Sequence, residues 1–432
     1  MSIPRRSLAR SGLALCAAFL ALVLSSQATL AAVTWSSPAS AGPTYSWNFG
    51  QALARTKSGT TSFLHTQYTT DFVNGMFVAD NGPYLGVYYR RGNSSGSTWS
   101  STKRLNGSME HAANGALAAS GQNVYVAYSV LSGIHDGYNP AAPRLPRVAV
   151  NTNYGANTAW LTPKANFIQT RIDRPAVAAA GAWAYMVFTD ADTGEIFVAT
   201  NLGTNTEDSG WGGSGTVGMT TRLADDPDEG YSGMPVIAAI GNAVMVAWIS
   251  ASGGTIKAVV SPDNGTTWSD EATLSTAQVW DLAAAGDGTR MALTWANSTA
   301  IKLKLYTSSG WQTTRTVATF SSGATYKVGY GPAVALTGNT RVGVAWSACT
   351  RSDCSGGSTK GVNLRWRESS DNGATWKSTL TLATYTASSS KRFNDYPSVV
   401  MTSTPRRYVM YNTASSSIST YKTVLEVGSG TP

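Results

Sequence analysis

The chain contains the run Ser261-Pro262-Asp263-Asn264-Gly265-Thr266-Thr267-Trp268, and the pattern returns as Ser369-Ser370-Asp371-Asn372-Gly373-Ala374-Thr375-Trp376. Both copies read S-x-D-N-G-x-T-W, and each follows a strand-like run, 255–260 or 362–367. Asp-Asn-Gly favours a tight hairpin turn, because the Asp side chain bonds to nearby backbone N–H groups and Gly accepts a positive φ. The Thr and Trp are expected to begin the second strand, with the Trp ring buried against a neighbouring unit.

The same spacing recurs along the chain in three phases. Short β-like runs that end in an aromatic residue, such as 124–128 and 342–346, lie in one phase. Small-residue runs such as 175–179 begin 13 or 14 residues before most of these aromatics. Tryptophans mark the third phase: Trp35, Trp99, Trp160, Trp211, Trp268, Trp311 and Trp376. Seven units in three phases predict a repeat fold.

Each unit supplies a small-residue strand, an aromatic-ended strand, a third strand, a box-like turn and a fourth strand. This order predicts an all-β fold, a seven-bladed β-propeller of four-stranded antiparallel blades. The last unit, 392–427, has only three strands, and Trp35 has no earlier strands of its own. Residues 33–40 are therefore expected to complete the last blade and close the ring. Six blades remain the alternative, with the weak unit 276–318 as decoration.

The repeated S-x-D-N-G-x-T-W pattern resembles the Asp-box, or BNR repeat, of the sialidase-like β-propeller superfamily. In that family the box is a structural hairpin, so the resemblance speaks for the fold more than for the function. It implies an Arg triad that grips a substrate carboxylate, a Tyr nucleophile activated by a Glu, and an Asp acid/base. Such a pairing is needed because a free Tyr is a poor nucleophile.

The first 32 residues have the pattern of a secretory signal peptide. A leader with three arginines precedes a short apolar run and a small-residue segment that ends at Ala31-Ala32. We therefore expect a secreted, extracellular protein with one propeller domain over 33–432. The remaining cysteines, Cys349 and Cys354, are predicted to form a disulfide because they are close in sequence and the compartment is oxidising.

The charge balance argues against a nucleic-acid partner. Loss of the three leader arginines lowers the net charge from +8 to about +5, and the Lys and Arg residues form no cluster. No run after the leader is long and apolar enough for stable membrane insertion. The sequence predicts a monomer with an extracellular glycan or polysaccharide as its partner, and it predicts no cofactor and no metal site.

Charged and aromatic residues concentrate in the loops that lead into the innermost strands, where propellers hold ligands at the axial entrance. Aromatic faces, carboxylates and guanidinium groups suit sugars, whose C–H faces stack on rings and whose hydroxyls bond to charged groups. The candidate catalytic residues are Asp173, Glu229, Asp281, Tyr330 and Asp395. The candidate substrate-binding residues are Arg171, Arg174, Arg392, Tyr231, Trp280 and Tyr396.

The resemblance assigns roles within this set. Tyr330 or Tyr231 would be the nucleophile, Glu229 its activating carboxylate, and Asp173 or Asp281 the acid/base. The Arg triad would be Arg171, Arg174 and Arg392, although two of these share one unit whereas the family places them on three blades. Three function classes therefore stay open: a sialidase, a glycosidase that uses paired carboxylates from Asp173, Asp281 and Asp395, and a non-catalytic carbohydrate-binding or protein-interaction propeller.

Overall fold

The computed structural model describes most of the chain after residue 32. The described residues are 33–37, 39–45, 48–58, 61–70, 86–107, 111–131, 144–161, 172–190, 194–204, 211, 220–224, 235–250, 254–320, 331–349, 362–383, 395–403, 406–414 and 421–430. Their regular structure is entirely β-strand. Within these residues no helix has the length and apolar character needed to cross a membrane. The predicted signal peptide lies outside them.

The strands form seven antiparallel sheets, and each sheet is one blade. Two short strands, β1 (Thr34–Trp35) and β2 (Ala39–Tyr45), come first and belong to the last blade. Blade 1 consists of β3 (Asn48–Ser58), β4 (Thr61–Thr70), β5 (Gly86–Asn93) and β6 (Lys103–Arg104). Blade 2 consists of β7 (His111–Ser120), β8 (Asn123–Leu131), β9 (Arg144–Asn151) and β10 (Trp160–Leu161). Blade 3 consists of β11 (Ile172–Ala180), β12 (Trp183–Asp190), β13 (Ile196–Leu202) and β14 (Thr220–Ala224).

Blade 4 consists of β15 (Val236–Ile240), β16 (Ala243–Ile249), β17 (Ile256–Ser261) and β18 (Ala272–Ser275). Blade 5 consists of β19 (Val279–Asp287), β20 (Arg290–Asn297), β21 (Ala300–Thr307), β22 (Gly310–Trp311) and β23 (Arg315–Thr319). Blade 6 consists of β24 (Ala333–Thr337), β25 (Arg341–Cys349), β26 (Val362–Ser369) and β27 (Leu380–Ala383). Blade 7 consists of β28 (Asp395–Met401), β29 (Arg406–Ala414) and β30 (Tyr421–Ser429), together with β1 and β2.

The first strand of each blade is the innermost, and it contacts the first strands of both neighbouring blades. The contacts run from β3 through β7, β11, β15, β19, β24 and β28 and return to β3, so the ring is closed. The seven-bladed propeller is thereby confirmed. The weak unit 276–318 is a complete blade, β19 to β23, and the six-blade alternative is wrong.

The N-terminal strands close the ring as predicted. Thr34 and Trp35 pair with Ser429 and Gly428, and Ala39 and Ser40 pair with Leu425 and Val424 on β30. The indole of Trp35 also meets the ring of Trp366 in blade 6 edge to face, with 5.8 Å between centroids. These strands cover the edge of β30, which would otherwise present unpaired backbone groups.

Both Asp-boxes form the predicted turns, and their polar groups bond to one another. In the first box, the Ser261 hydroxyl donates to Asp263 Oδ1 at 2.9 Å and accepts from Gly265 N at 2.7 Å. Hydrogen bonds from Thr267, first from its backbone and then from its hydroxyl, hold the pKa of Asp263 below its usual range. Asn264 and Gly265 both have positive φ, 61° and 84°. The turn therefore explains the invariance of S-x-D-N-G-x-T between the two copies.

One detail of the box differs from the expectation. Trp268 and Trp376 do not begin the fourth strand, because β18 starts at Ala272 and β27 starts at Leu380. The Trp268 indole instead donates back to Gly265 O at 3.1 Å, and the ring packs against buried residues of blades 3 and 4. The residues between each Trp and the fourth strand let the chain pass around the indole ring before it pairs with the third strand of its blade.

The Asp-box turns also join neighbouring blades. Asn264 of blade 4 accepts a hydrogen bond from the Tyr185 hydroxyl of blade 3 at 3.0 Å. Asn372 of blade 6 accepts one from the guanidinium of Arg290 in blade 5. In each case the donor is near the start of the second strand of the preceding blade, so the repeat positions a contact between blades as well as a turn within one.

A buried ion pair joins blades 6 and 7. Arg407 is fully buried and donates two hydrogen bonds to Glu368, Nε to Oε2 at 2.6 Å and Nη2 to Oε1 at 3.0 Å. Arg341 of blade 6 donates to the same carboxylate, with Nη2 2.8 Å from Oε1. Charge-assisted hydrogen bonds from two guanidinium groups therefore satisfy this buried carboxylate.

Removal of the closing strands should destabilise the ring. A chain that begins at Gly42 lacks β1 and the first pairs of β2, so it exposes the edge of β30 and the indole contact of Trp366. We expect its melting temperature to fall by about 5 °C or more relative to a chain that begins at Val33. Scanning calorimetry of both chains would measure this, and equal melting temperatures would show that the pairing contributes nothing.

Neutralisation of the buried carboxylate should be costly. Glu368→Gln removes the negative charge that Arg341 and Arg407 share, so we expect the free energy of unfolding to fall by about 3–5 kcal/mol in urea titrations. Glu271→Gln is the matched control, because Glu271 pairs with Lys257 on the surface and such pairs contribute about 0–1 kcal/mol. Similar losses in the two variants would contradict the role given to the buried pair.

Candidate functional site

The innermost strands surround a central cavity of about 560 Å³. Its wall is built mostly from alanines, valines and leucines, with Gly286 of β19 among them, because the blades crowd together at the axis. The ionisable residues that line it among those described are Asp281, Asp287 and Arg55. Groups able to hold a polar ligand are therefore few, and the two aspartates are at opposite ends of β19.

Asp281 is at the end of the cavity where β19 begins, which we call the axial mouth. Its Oδ1 accepts from the backbone N–H of Leu282 at 2.8 Å, and its Oδ2 accepts from that of Gly331, leading into blade 6, at 2.6 Å. A side chain at position 331 would collide with this carboxylate, since a Cβ there would be 2.4 Å from Oδ2. Two blades thus fix the orientation of the carboxylate.

Asp173, Asp281 and Asp395 occupy the same register position in blades 3, 5 and 7. Each pairs with the residue that follows the last aromatic of the second strand: Asp173 with Thr189, Asp281 with Ala296, and Asp395 with Asn412. A register irregularity adjoins each of the three aspartates. The backbone therefore brings all three to the start of an innermost strand. Of their side chains, only that of Asp281 is among those the structure describes.

The other candidates divide into two groups. Arg174, Trp280 and Tyr396 lie next to these aspartates on the innermost strands β11, β19 and β28, and their side chains are not described. The remaining candidates are outside the described residues: Arg171, Glu229, Tyr231, Tyr330 and Arg392. Their roles as catalytic or substrate-binding groups stay predictions. Within the described residues, no group of three or more His, Cys, Asp and Glu side chains is arranged to hold a metal ion.

The disulfide also stays a prediction. Cys349 is the last residue of β25 and pairs through its backbone with Val362, whereas Cys354 is outside the described residues.

Two cavity residues were missed by the sequence analysis. Asp287 ends β19, and burial raises the pKa of its carboxyl although the nearby Arg290 opposes the shift. Arg55 lies on β3 and donates to Ser62 Oγ at 2.8 Å. Neither residue precedes an innermost strand, where the candidates were sought. The sequence pattern that would have indicated them is a charged residue in the second half of a strand made mostly of small residues.

A buried Tyr–Glu pair is present away from the cavity. The Tyr411 hydroxyl donates to Glu426 Oε1 at 2.7 Å, between β29 and β30 of blade 7. Burial raises the pKa of Glu426 to about 6, and it also raises the pKa of Tyr411. Neither side chain lines the axial cavity, and both are almost fully inaccessible to solvent. The pair therefore stabilises blade 7 and does not supply the nucleophile that the resemblance implies.

Among solved structures, the chain is similar in fold to several sialidases. Trypanosoma rangeli sialidase is 11% identical over 89% of this chain and 55% of its own, with a TM-score of 0.47. A Hadza microbial sialidase is 12% identical over 87% of this chain and 65% of its own, with a TM-score of 0.48. A leech intramolecular trans-sialidase is 10% identical over 89% and 68%, with a TM-score of 0.44.

The chain spans about half to two thirds of the length of these structures. A likeness at this level concerns the fold and says nothing about the residues at the axial mouth. No protein-family model matches the chain, and no curated protein does.

Substitution of the fixed carboxylate should weaken the junction between blades 5 and 6. In Asp281→Asn the side chain loses its charge and can offer an oxygen to only one of the two N–H groups, so the free energy of unfolding should fall by about 1–3 kcal/mol. Asp270→Asn is the control, because Asp270 is exposed. Urea titration would measure the free energy of unfolding of both variants. An unchanged value for Asp281→Asn would show that these hydrogen bonds do not stabilise the junction between blades 5 and 6.

Proposed function

We propose that this protein is a secreted propeller that binds extracellular glycans at the axial mouth. The observation that carries the proposal is the Asp281 carboxylate, which backbone N–H groups of two blades orient at the end of a 560 Å³ cavity. The leader-like sequence of residues 1–32 supports secretion. A sugar offers many hydroxyl donors, and an oriented carboxylate is a strong acceptor for them.

Other candidate residues from the starts of the innermost strands would complete a sugar-binding set with Asp281. Trp280 and Tyr396 would supply rings on which the C–H face of a sugar can stack. Asp173 and Asp395 share the register position of Asp281, so they would supply further acceptors at the same opening. Arg174 and Arg392 would bind a carboxylate or another acidic group of the ligand.

The hydrogen bonds of Asp281 favour an acceptor role over a proton-donating one. Backbone N–H groups donate to both oxygens of the carboxylate, so its acceptor atoms are held in a fixed orientation, and a carboxylate oxygen can accept more than one hydrogen bond. We therefore assign Asp281 to ligand hydroxyls. This assignment makes binding the function that the geometry supports best.

Glycoside hydrolysis is the second candidate, because three aspartates share one register position around the mouth. Asp173 and Asp395 would be the working carboxylates, with a separation of about 5 Å for a retaining reaction or about 6.5–9.5 Å for an inverting one. In the sialidase variant of this candidate, Tyr330 or Tyr231 would attack the sugar with help from Glu229, and Arg171, Arg174 and Arg392 would hold its carboxylate.

A glycan array combined with fluorogenic glycosides would separate the two candidates. Binding without turnover, lost in Asp281→Ala but not in Asp270→Ala, would support the glycan-binding function. Turnover that disappears in Asp173→Asn or Asp395→Asn, with binding retained, would support the hydrolase. Absence of both binding and turnover would overturn the proposal in favour of a protein-interaction propeller.

The arginines give a sharper test of the ligand's charge. Arg174→Ala and Arg392→Ala should each weaken the binding of an acidic glycan by about 1.5–3 kcal/mol, because each removes a charged contact with several donors. The melting temperature should stay unchanged. Calorimetric titration would measure the affinity, with a neutral glycan as the control ligand. Unfolding of both variants would instead identify the arginines as structural ion-pair partners.

A further inference from the structure

A fully buried histidine lies at the junction between blades 1 and 2. Both ring nitrogens of His65, on β4, are engaged in hydrogen bonds. Its Nε2 is 2.7 Å from the hydroxyl of Thr56 on β3, and its Nδ1 is 2.7 Å from the hydroxyl of Tyr89 on β5. None of these three residues lines the axial cavity. The imidazole therefore belongs to a polar cluster that is separate from the axial mouth.

Tyr89 extends this cluster to blade 2. Its hydroxyl donates to Gly155 O at 3.2 Å, in the box-like turn of that blade. In blade 4 the corresponding carbonyl, that of Gly265, accepts instead from Trp268 of its own turn at 3.1 Å. The tyrosine of blade 1 thus takes the place of an indole in the turn of blade 2, and it joins the two blades.

The contact is close and its protons are accounted for. A Cβ on Gly155 would be 1.8 Å from the Tyr89 hydroxyl and 2.7 Å from His65 Nδ1. While Tyr89 donates its one proton to Gly155 O, Nδ1 carries the imidazole proton and Nε2 accepts from Thr56. A second proton must enter at Nε2. It would reverse the bond to Thr56 and place a cation where solvent does not reach.

A charged group directly beside His65 is itself a cation. Arg91 pairs with His65 across β4 and β5, so the two side chains are on the same face of the sheet. Its Nη1 donates to Tyr154 O at 3.4 Å, and its guanidinium lies over the ring of Phe63. Burial, and then the charge of Arg91, lower the pKa of His65 to about 3. The imidazole is therefore neutral at pH 7.

No acid on the surrounding elements compensates a charged imidazole. These elements are β3, β5, β7 and the turn 151–157, and their sequences contain neither Asp nor Glu. Four of their ionisable residues alternate with the residues that face His65 and so point to the other face of the sheet. Those four are Arg55, Lys57, Tyr88 and Arg90. The others, besides Tyr89 and Arg91, are His111 and Tyr154.

The fold does not require a histidine at this position. His65 pairs with Ala54, four residues from the hairpin pair that joins the first two strands. The same position in blades 2 to 5 is also buried, and it holds Ala127, Val187, Ala247 and Thr294. None of these side chains ionises, so among these five blades the imidazole is particular to blade 1.

We propose that His65 is a pH-sensitive switch at the junction of blades 1 and 2. Neutral, it completes the hydrogen bonds that run from Thr56 through Tyr89 to Gly155. Protonated, it places a second cation beside Arg91 and loosens the junction, which weakens the closed ring. The switch goes beyond the proposed function, since it needs neither a glycan nor any residue of the axial mouth.

The direction of the pH dependence follows from the two states of His65. In the unfolded chain it takes up a proton near pH 6.5, whereas in the folded protein its pKa is about 3. Its stabilisation is therefore complete above about pH 6.5 and is lost as the pH falls from there toward 3. Glu426 in blade 7 acts in the opposite direction, because its pKa of about 6 is above its ordinary value. A comparison of variants is thus needed to isolate His65.

The test compares the wild type with His65→Gln, which stays polar but takes up no proton. Urea titrations near pH 7 and at about pH 4.5 give the folding equilibrium constant of each protein. Between these pH values the constant of the wild type should fall about 30-fold or more relative to that of the variant. Tyr89→Phe is the matched control, because it removes the bond to Gly155 at every pH but keeps the wild-type pH dependence. Equal pH dependence in the wild type and His65→Gln would overturn the proposal.

Two measurements on the wild type decide the matter if His65→Gln fails to fold. The chain has three histidines, so their imidazole NMR signals can be assigned with His111→Gln and His135→Gln. The His65 ring should stay neutral down to about pH 4.5, and titration near pH 6.5 would contradict the switch. Amide hydrogen exchange at about pH 5 should open β4 and β5 before β25 and β26 of blade 6. Equal opening in all blades would show that protonation does not act at this junction.

Discussion

Crowding of the innermost strands at the axis is the constraint on which the structure depends. Seven strands contact one another in a closed ring, so their side chains must be small. Gly286 shows how tight the approach is, since a Cβ there would be only 2.6 Å from the backbone oxygen of Ala239 in the next blade. Larger side chains in this wall would cause overpacking. Ionisable side chains are consequently few in this wall: among the described residues, Asp281, Asp287 and Arg55 line the cavity.

The blades diverge away from the axis, and the chain fills the growing space with large side chains. Trp248 and Trp366 are buried at this radius, and so is Arg407 with its carboxylate partner. Two pockets, of about 330 and 350 Å³, open between neighbouring blades at this radius. The chemistry of such a pocket is set by the fourth strand of one blade and the third strand of the next. Side chains that fill the space between blades therefore have structural roles, whereas the candidate binding residue Asp281 lies at the axial cavity.

The sequence was sufficient for the fold because the repeat is local. Each copy of the box, such as 261–268, contains all the residues that make its turn, and the recurrence of tryptophans set the number of blades. The sites were harder to predict because their contacts are not local. Asp281 meets Gly331, and Glu368 meets Arg407, across blade boundaries. Arg55 enters the cavity after a register shift in β3 that no sequence pattern marks.

Closure of the ring has a consequence for the order of events in folding. Thr34 is made early and Ser429 late, yet these two residues pair. Contacts between such distant parts of a chain form slowly, because the entropy cost of closing the long intervening loop must be met before the contact can stabilise the chain. Blades 1 to 6 can assemble during synthesis, whereas blade 7 must wait for β30. Until then β1 and β2 lack their pairing partner, and unpaired strand edges favour aggregation of the growing chain.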